Sequence, residues 1–226
     1  MTYEYEYRYP PDAFDKRNIM SLSKSKVTKT LLVNTVYASD HPDQKHLYIR
    51  IRTQYTKNKR GPTIAESYLT VKSKKKTDAF DEEYETSIPD PAATREILVR
   101  LGCREVYRNE KFRDIIRVPD LGEIDFDEFP GVPFSLMEIE SPTKAKLGHL
   151  VRALGLKPPT KAMVARAQLR TFYADLYGFP TDHKLTKDVV FSPDFSLDSM
   201  QQHAQQPKFR RILEKQCKRA DAFKSD

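Results

Sequence analysis

The chain has 226 residues, 38% of them hydrophobic and 31% charged, with a formal charge of +7; the length suits one sizeable domain with an appendage, and the charge favours anionic partners such as phosphates or nucleic acid. No run of about 18 apolar residues exists, which argues against a membrane span, and the acidic, aromatic start lacks the basic-then-apolar order of a signal peptide. Only Cys103 and Cys217 occur, far apart and outside any CxxC, so a reducing, cytoplasmic compartment is expected.

Residues 2–9, TYEYEYRY, alternate with period two and predict a strand with tyrosines on one face and Glu4, Glu6 and Arg8 on the other. Pro10-Pro11 ends it, and DAFDKRNIMSLS predicts a short helix capped by Asp12. Strands are expected at 30–39, 46–55, 67–74 and 79–88, with a turn at DHPDQ and a basic loop at 56–63. PDPAATREILVRLGC (89–103) predicts a helix with Asp90 near its cap and Gly102 at its end. Strands follow at 104–118, 122–128 and 134–140, the first two joined by the PDLG turn. From residue 142 the period becomes helical, with Ser141 as cap, Pro142 at the first position, and Leu147, Leu150, Val151 and Leu154 on one stripe. One or two more helices are expected over 161–177. After Gly178 the composition turns polar, and FSLDSMQQHAQQPKFRRILEKQCKRADAFKSD (195–226) predicts an appended basic helix broken near Pro207 with a loose end, its basic part KFRRILEKQCKR (208–219) carrying Phe209, Ile212, Leu213 and Cys217 on one stripe. The expected division is a domain over 1–180 and a helical, basic extension over 181–226.

The strands share a peculiarity. Arg50 and Arg52 oppose Leu47, Ile49 and Ile51, and Lys72 and Lys74 oppose Leu69 and Val71. Glu83 and Glu85 oppose Phe80 and Tyr84, Lys111 and Arg113 flank Phe112, Asp125 and Asp127 oppose Ile124 and Phe126, and Glu138 and Glu140 oppose Met137 and Ile139. An antiparallel sheet with one wet face is the plain alternative for any single strand. A solvated face usually mixes Ser, Thr, Gln and Asn with its charges, however, and like charges on one face repel. Carboxylate pairs suit a hard divalent cation, and Arg and Lys pairs suit phosphate oxygens. The expected fold is therefore α+β: a closed, eight-stranded antiparallel barrel with its charged faces inward and the helices at 90–102, 142–155 and 161–177 packed outside. On that reading Glu6, Arg52, Lys72, Arg113 and Glu138 should converge on one cavity. The five histidines have no metal-ligand spacing, and there is no Gly-rich phosphate loop.

Glu-Tyr-Glu-Tyr-Arg at 4–8 resembles the opening Glu-x-Glu-x-Lys of the CYTH domain, the fold of the triphosphate tunnel metalloenzymes. YIRIR (48–52), LTVK (69–72), EEYE (82–85), KFR (111–113), IDFDEFPGVP (124–133) and MEIE (137–140) follow in the family's order, and the likeness covers about residues 2–180. The resemblance implies an eight-stranded tunnel that binds a triphosphate with Mg²⁺ or Mn²⁺. It implies Glu4, Glu6, Glu138 and Glu140 as metal carboxylates, assisted by Asp125 or Asp127 and by Glu83 or Glu85. It implies Arg8, Arg50, Arg52, Lys72, Lys74, Lys111 and Arg113 as the phosphate clamp, with Arg8, Lys72 and Glu85 as catalytic residues. Arg8 stands where the common motif has Lys, and a permanently charged planar fork grips phosphate but does not give up its proton. The expected activity is metal-dependent hydrolysis of tripolyphosphate, a nucleoside triphosphate or thiamine triphosphate. Three alternatives stay open: an adenylate cyclase of the class built on this fold, an RNA 5′-triphosphatase with the RNA 5′ end on the basic tail, and a non-catalytic polyphosphate-binding module. A monomer or homodimer is expected.

Overall fold

The computed structural model describes residues 2–3, 5–22, 26–58, 61–74, 81–178, 188–193 and 206–225. Glu4 therefore lies outside the described residues, and only the backbone of Lys74 is described. The strand segments are β1 (Thr2–Tyr3), β2 (Tyr5–Tyr9), β3 (Val27–Ser39), β4 (Leu47–Thr56), β5 (Ile64–Lys74), β6 (Asp81–Ser87), β7 (Cys103–Val118), β8 (Gly122–Glu128) and β9 (Ser135–Ser141). They form one sheet in the order β1-β6-β5-β4-β3-β7-β8-β9-β2, antiparallel throughout. The two ends of this order, β1 and β2, are consecutive in the chain. Thr2 pairs with Glu83 in β6, while Tyr5 pairs with Ser141 in β9. One N-terminal strand thus touches both edges, and the sheet curls into a barrel. Closure removes the unpaired edges that an open sheet would expose.

Alternation then decides the interior. In β2 the odd-numbered tyrosines face outward: Tyr5, Tyr7 and Tyr9 pack with Ile124, Phe126, Met137 and Ile139. Over them lies α3 (Lys144–Ala153), whose Leu147, Leu150 and Val151 are buried in the same cluster. Tyr9 donates its hydroxyl to the Lys157 carbonyl at 2.9 Å, which satisfies its polar end. α2 (Pro91–Arg100) covers the β3–β4 side through Leu98. The remaining helices are α1 (Lys16–Leu22), α4 (Lys161–Arg166), α5 (Leu169–Tyr177) and α6 (Pro207–Lys224). None among the described residues is long and apolar enough to cross a membrane.

Three local expectations shift. The first helix is split into a 3₁₀ turn and α1, and Asp15 accepts the N–H groups of Arg17 and Asn18 at its start; Asp12 instead pairs with Arg166 at 2.8 Å. Ser141 stays in β9 and donates to the Leu121 carbonyl, so the cap of α3 falls to Thr143, which accepts from the Lys146 N–H. The basic helix expected over 208–219 runs from Pro207 to Lys224, with the proline at its first position, where a first-turn N–H has no intrahelical partner to lose; the stretch expected before the break lies outside the described residues.

Phe209, Leu213, Cys217, Ala220 and Phe223 of α6 are buried with Leu31, Phe112, Val132, Tyr173 and Tyr177. Full burial of each phenylalanine contributes about 1.5–3 kcal/mol. Gly131 has φ +74°, and a Cβ there would stand 2.1 Å from the Phe209 ring, so this contact requires glycine twice over. Gln216 closes the join by accepting the Gly131 N–H at 2.7 Å and donating to Glu128 at 2.9 Å. Just before α6, Val189 joins the barrel wall. Its N–H donates to the Arg108 carbonyl at 2.9 Å, and its carbonyl accepts the Glu110 N–H at 2.8 Å. It does so where β7 runs past the end of β8, which pairs only from Phe112 onward.

Candidate functional site

The inward faces enclose one cavity of about 690 Å³. Glu6, Arg8, Arg50, Arg52, Lys72, Glu83, Glu85, Lys111, Arg113, Glu138 and Glu140 all line it. The five residues chosen as a convergence check are among them. Asp125 and Asp127 share the inward parity but are fully buried behind the lining.

One wall is built from β7, β8, β9 and β2. Arg113 donates Nε to Asp127 at 2.6 Å and Nη2 to both Asp127 at 2.7 Å and Glu138 at 2.6 Å, and it touches Asp125. Lys111 bonds Asp127 as well. Arg8 pairs with Glu138 at 3.0 Å and Glu6 at 2.9 Å. Burial alone would push the Glu138 carboxyl up, but Lys111, Arg113 and Arg8 outweigh it and hold it well below the usual carboxylate range. Burial lowers the Arg113 pKa in the same way, and Asp127 and Asp125 more than reverse it. Every cation on this wall already has an acid.

The facing wall is built from β3, β4, β5 and β6. Lys72 pairs with Glu83 at 2.6 Å. Arg50 donates to Thr70 at 3.1 Å and stands 3.7 Å from Glu85 and 3.9 Å from Glu83, beyond hydrogen-bond contact. Arg52 donates Nε to the amide oxygen of Asn34 at 2.9 Å. Among the described residues no carboxylate forms an ion pair with Arg52. Burial, with Arg50 and Arg113 nearby, lowers its pKa to about 10, so it remains charged at neutral pH. A half-buried guanidinium held by an amide keeps its full charge available to an anion.

Carboxylates collect at the other end of the acidic wall. Glu123, Asp125 and Glu140 present oxygens within 4.8 Å of one another. Asp125 Oδ1 receives no hydrogen bond, and Oδ2 meets only the Arg113 guanidinium. Burial raises Asp125 to about 8, with Asp127 and Glu140 adding to the rise and Arg113 opposing it. Glu140 is pushed up by burial and by Glu138 and Glu6. An all-oxygen set whose members repel, with one buried carboxylate oxygen left without a donor, fits a hard divalent cation.

The family model for the CYTH domain matches residues 2–164. The chain belongs to the CYTH domain family. No curated protein sequence matches it. Among solved structures, PH1819 of Pyrococcus horikoshii OT3 is 22% identical with a TM-score of 0.53, over 72% of this chain and 97% of that one. A protein of Vibrio parahaemolyticus, provisionally assigned as an adenylate cyclase, is 15% identical with a TM-score of 0.51, over 73% of this chain and 98% of that one. HpAC1 of Hippeastrum, provisionally assigned as an adenylyl cyclase and reported to have a dominant triphosphatase activity, is 18% identical with a TM-score of 0.47, over 81% of this chain and 100% of that one. The first two likenesses show a shared fold.

The sequence reading missed three groups that the CYTH barrel brings to the cavity. Glu123 shares the parity of Asp125 and Asp127, so the signal was present two residues upstream. Asn34 and Asn109 are uncharged and solitary on their strands, and no charge pattern could reveal them. Leu169 and Val189, which also line the cavity, lie beyond the family match.

Proposed function

We propose that the barrel is a triphosphate-hydrolysing site. The observation that carries this reading is one ionic cavity in which Arg52 has no ion pair among the described residues while the facing wall holds a cluster of carboxylates. Arg52, Arg50 and Lys72 bind phosphoryl oxygens on the β4–β5 wall, where planar guanidinium forks match phosphate geometry. Lys111 and Arg113 keep their own carboxylates and present the remaining positive field to the equatorial oxygens, where charge spreads during transfer. Arg8, held by Glu6 and Glu138, grips a terminal oxygen and takes no part in proton transfer. Glu85 lines the same cavity outside the carboxylate cluster and is a group able to take the proton of an attacking water. The enclosing wall limits access of bulk water, which strengthens each of these contacts.

Glu123, Asp125 and Glu140 would hold Mg²⁺ or Mn²⁺, with Glu6 and Glu138 on the adjoining strands. Such an ion supplies charge neutralisation on the phosphoryl oxygens and lowers the pKa of water. The test is a panel of tripolyphosphate, ATP and thiamine triphosphate with Mg²⁺ or Mn²⁺, with products identified by mass spectrometry. Release of orthophosphate from at least one is expected. Cyclic AMP as the product from ATP, or no turnover of any member, would overturn the reading.

A further inference from the structure

Arg52 is the least compensated cation of the cavity, and what holds it is an amide. Arg52 Nε donates to Asn34 Oδ1 at 2.9 Å, and Asn34 Nδ2 donates to Asn109 Oδ1 at 2.9 Å. Asn34 is 2% exposed. The strand register makes the arrangement a straight row: Asn34 pairs with Arg52 in β4 on one side and with Asn109 in β7 on the other. The orientation of the Asn34 amide is forced from both sides. A guanidinium has only donors, so it takes the oxygen, which leaves the NH₂ for the oxygen of Asn109. A flipped amide would set donor against donor and acceptor against acceptor, losing both bonds. Asn109 is in turn fixed at its two flanking peptides, where Val189 bonds Arg108 and Glu110.

On the facing wall each buried cation is held by carboxylates. Asn34→Asp would also accept from Arg52, but it would neutralise the guanidinium before any anion arrived, and binding would have to displace an ion pair. An amide fixes direction and leaves the charge intact. We propose that Asn34, locked by Asn109, is a positioning residue that aims Arg52 at a phosphoryl oxygen without discharging it. This rests on the triphosphate reading of the cavity.

The experiment measures inorganic tripolyphosphate binding by calorimetry in EDTA, thermal midpoints, and kcat and KM with Mg²⁺, for the wild type and three variants. Asn34→Asp weakens binding at least about tenfold and raises KM more than it lowers kcat, with a thermal midpoint equal to or above wild type, because an ion pair replaces a bond from the guanidinium to a neutral amide and the Asn109 amide can turn to donate. Asn34→Ala keeps the charge but loses the aim, and weakens binding about three- to tenfold. Asn109→Ala leaves the Arg52–Asn34 pair in place and frees the amide to turn, for about a threefold loss that stands even if the Asn34 variants fold poorly. A purely structural role would lower affinity and thermal midpoint together. Asn34→Asp binding within about twofold of wild type, or Asn109→Ala leaving affinity unchanged, overturns this inference alone, since discharging the guanidinium or freeing the amide that aims it ought to cost more. A wild-type protein that neither binds nor hydrolyses tripolyphosphate, ATP or thiamine triphosphate, in EDTA or with Mg²⁺, overturns the triphosphate reading itself.

Discussion

The two walls of the barrel solve one electrostatic problem in opposite ways. On the β7–β8–β9–β2 wall the cations are saturated: Arg113 alone contacts Asp125, Asp127 and Glu138. On the β3–β4–β5–β6 wall Lys72 has Glu83 at 2.6 Å, but Arg52 is held by an amide and Arg50 by a hydroxyl, with the carboxylates nearest Arg50 at 3.7 Å and 3.9 Å. A saturated wall is rigid and self-sufficient; removing one member strands the others in a low-dielectric interior. An unsaturated wall holds charge in reserve for something brought from outside. The difference separates the residues that keep the barrel intact from those that receive the ligand, although both sets are charged and both face inward.

Substitutions on the two walls should therefore fail differently. Arg113→Met leaves Asp125, Asp127 and Glu138 without their main partner and should cost about 3–5 kcal/mol of stability, read by urea unfolding. Arg52→Gln strands no acid. It should lower kcat/KM for tripolyphosphate about 10²–10³-fold and leave the urea midpoint unchanged or higher. If the two variants lose stability equally, the contrast between the walls is wrong. A smaller effect sits outside both walls. Glu110 is 5% exposed and bonds Lys224 Nζ at 2.8 Å and the Phe191 N–H at 2.9 Å. Lys224→Met should cost about 1–2 kcal/mol in thermal unfolding by leaving that buried carboxylate half satisfied.

The smallest effect is one of pH. Asp125 has an ordinary value of 3.8 and is raised to about 8 by burial first and by its acidic neighbours next. Between those values the folded chain holds a proton that the unfolded chain has released. In metal-free buffer stability should fall as pH rises through that window. Asp125→Asn should flatten that slope, and saturating Mg²⁺ should reverse it, because the ion takes the place of the proton. A slope identical in the variant would remove Asp125 from the account.

The barrel was legible because strand parity writes the tunnel lining directly into the chain: wherever charges recur at every second residue, both land on the same face. Depth was not legible. Asp125 and Asp127 share the parity of Glu123, yet they sit behind Arg113, and only the register of β7 against β8 places them there. Asn34 was hidden for a related reason. TLLVNTVYAS reads as an apolar strand, and its one amide acquires meaning from Arg52 and Asn109, 18 and 75 residues away. The caps show competition between partners. Ser141 and Thr143 are both suitable caps, but pairing of β9 with β2 claims Ser141 and its hydroxyl goes to Leu121. The apolar stripe of α6 could be read from its spacing, whereas its seat against Gly131 and Phe112 depends on side chains far away in the chain.

A crystal structure of the protein soaked with tripolyphosphate is the most direct test of the contrast between the walls. Phosphoryl oxygens should lie within hydrogen-bond distance of Arg52 and Arg50, while Arg113 keeps its bonds to Asp127 and Glu138. An anion seated outside the barrel, or one that draws Arg113 away from its carboxylates and leaves Arg52 on Asn34 alone, would contradict it.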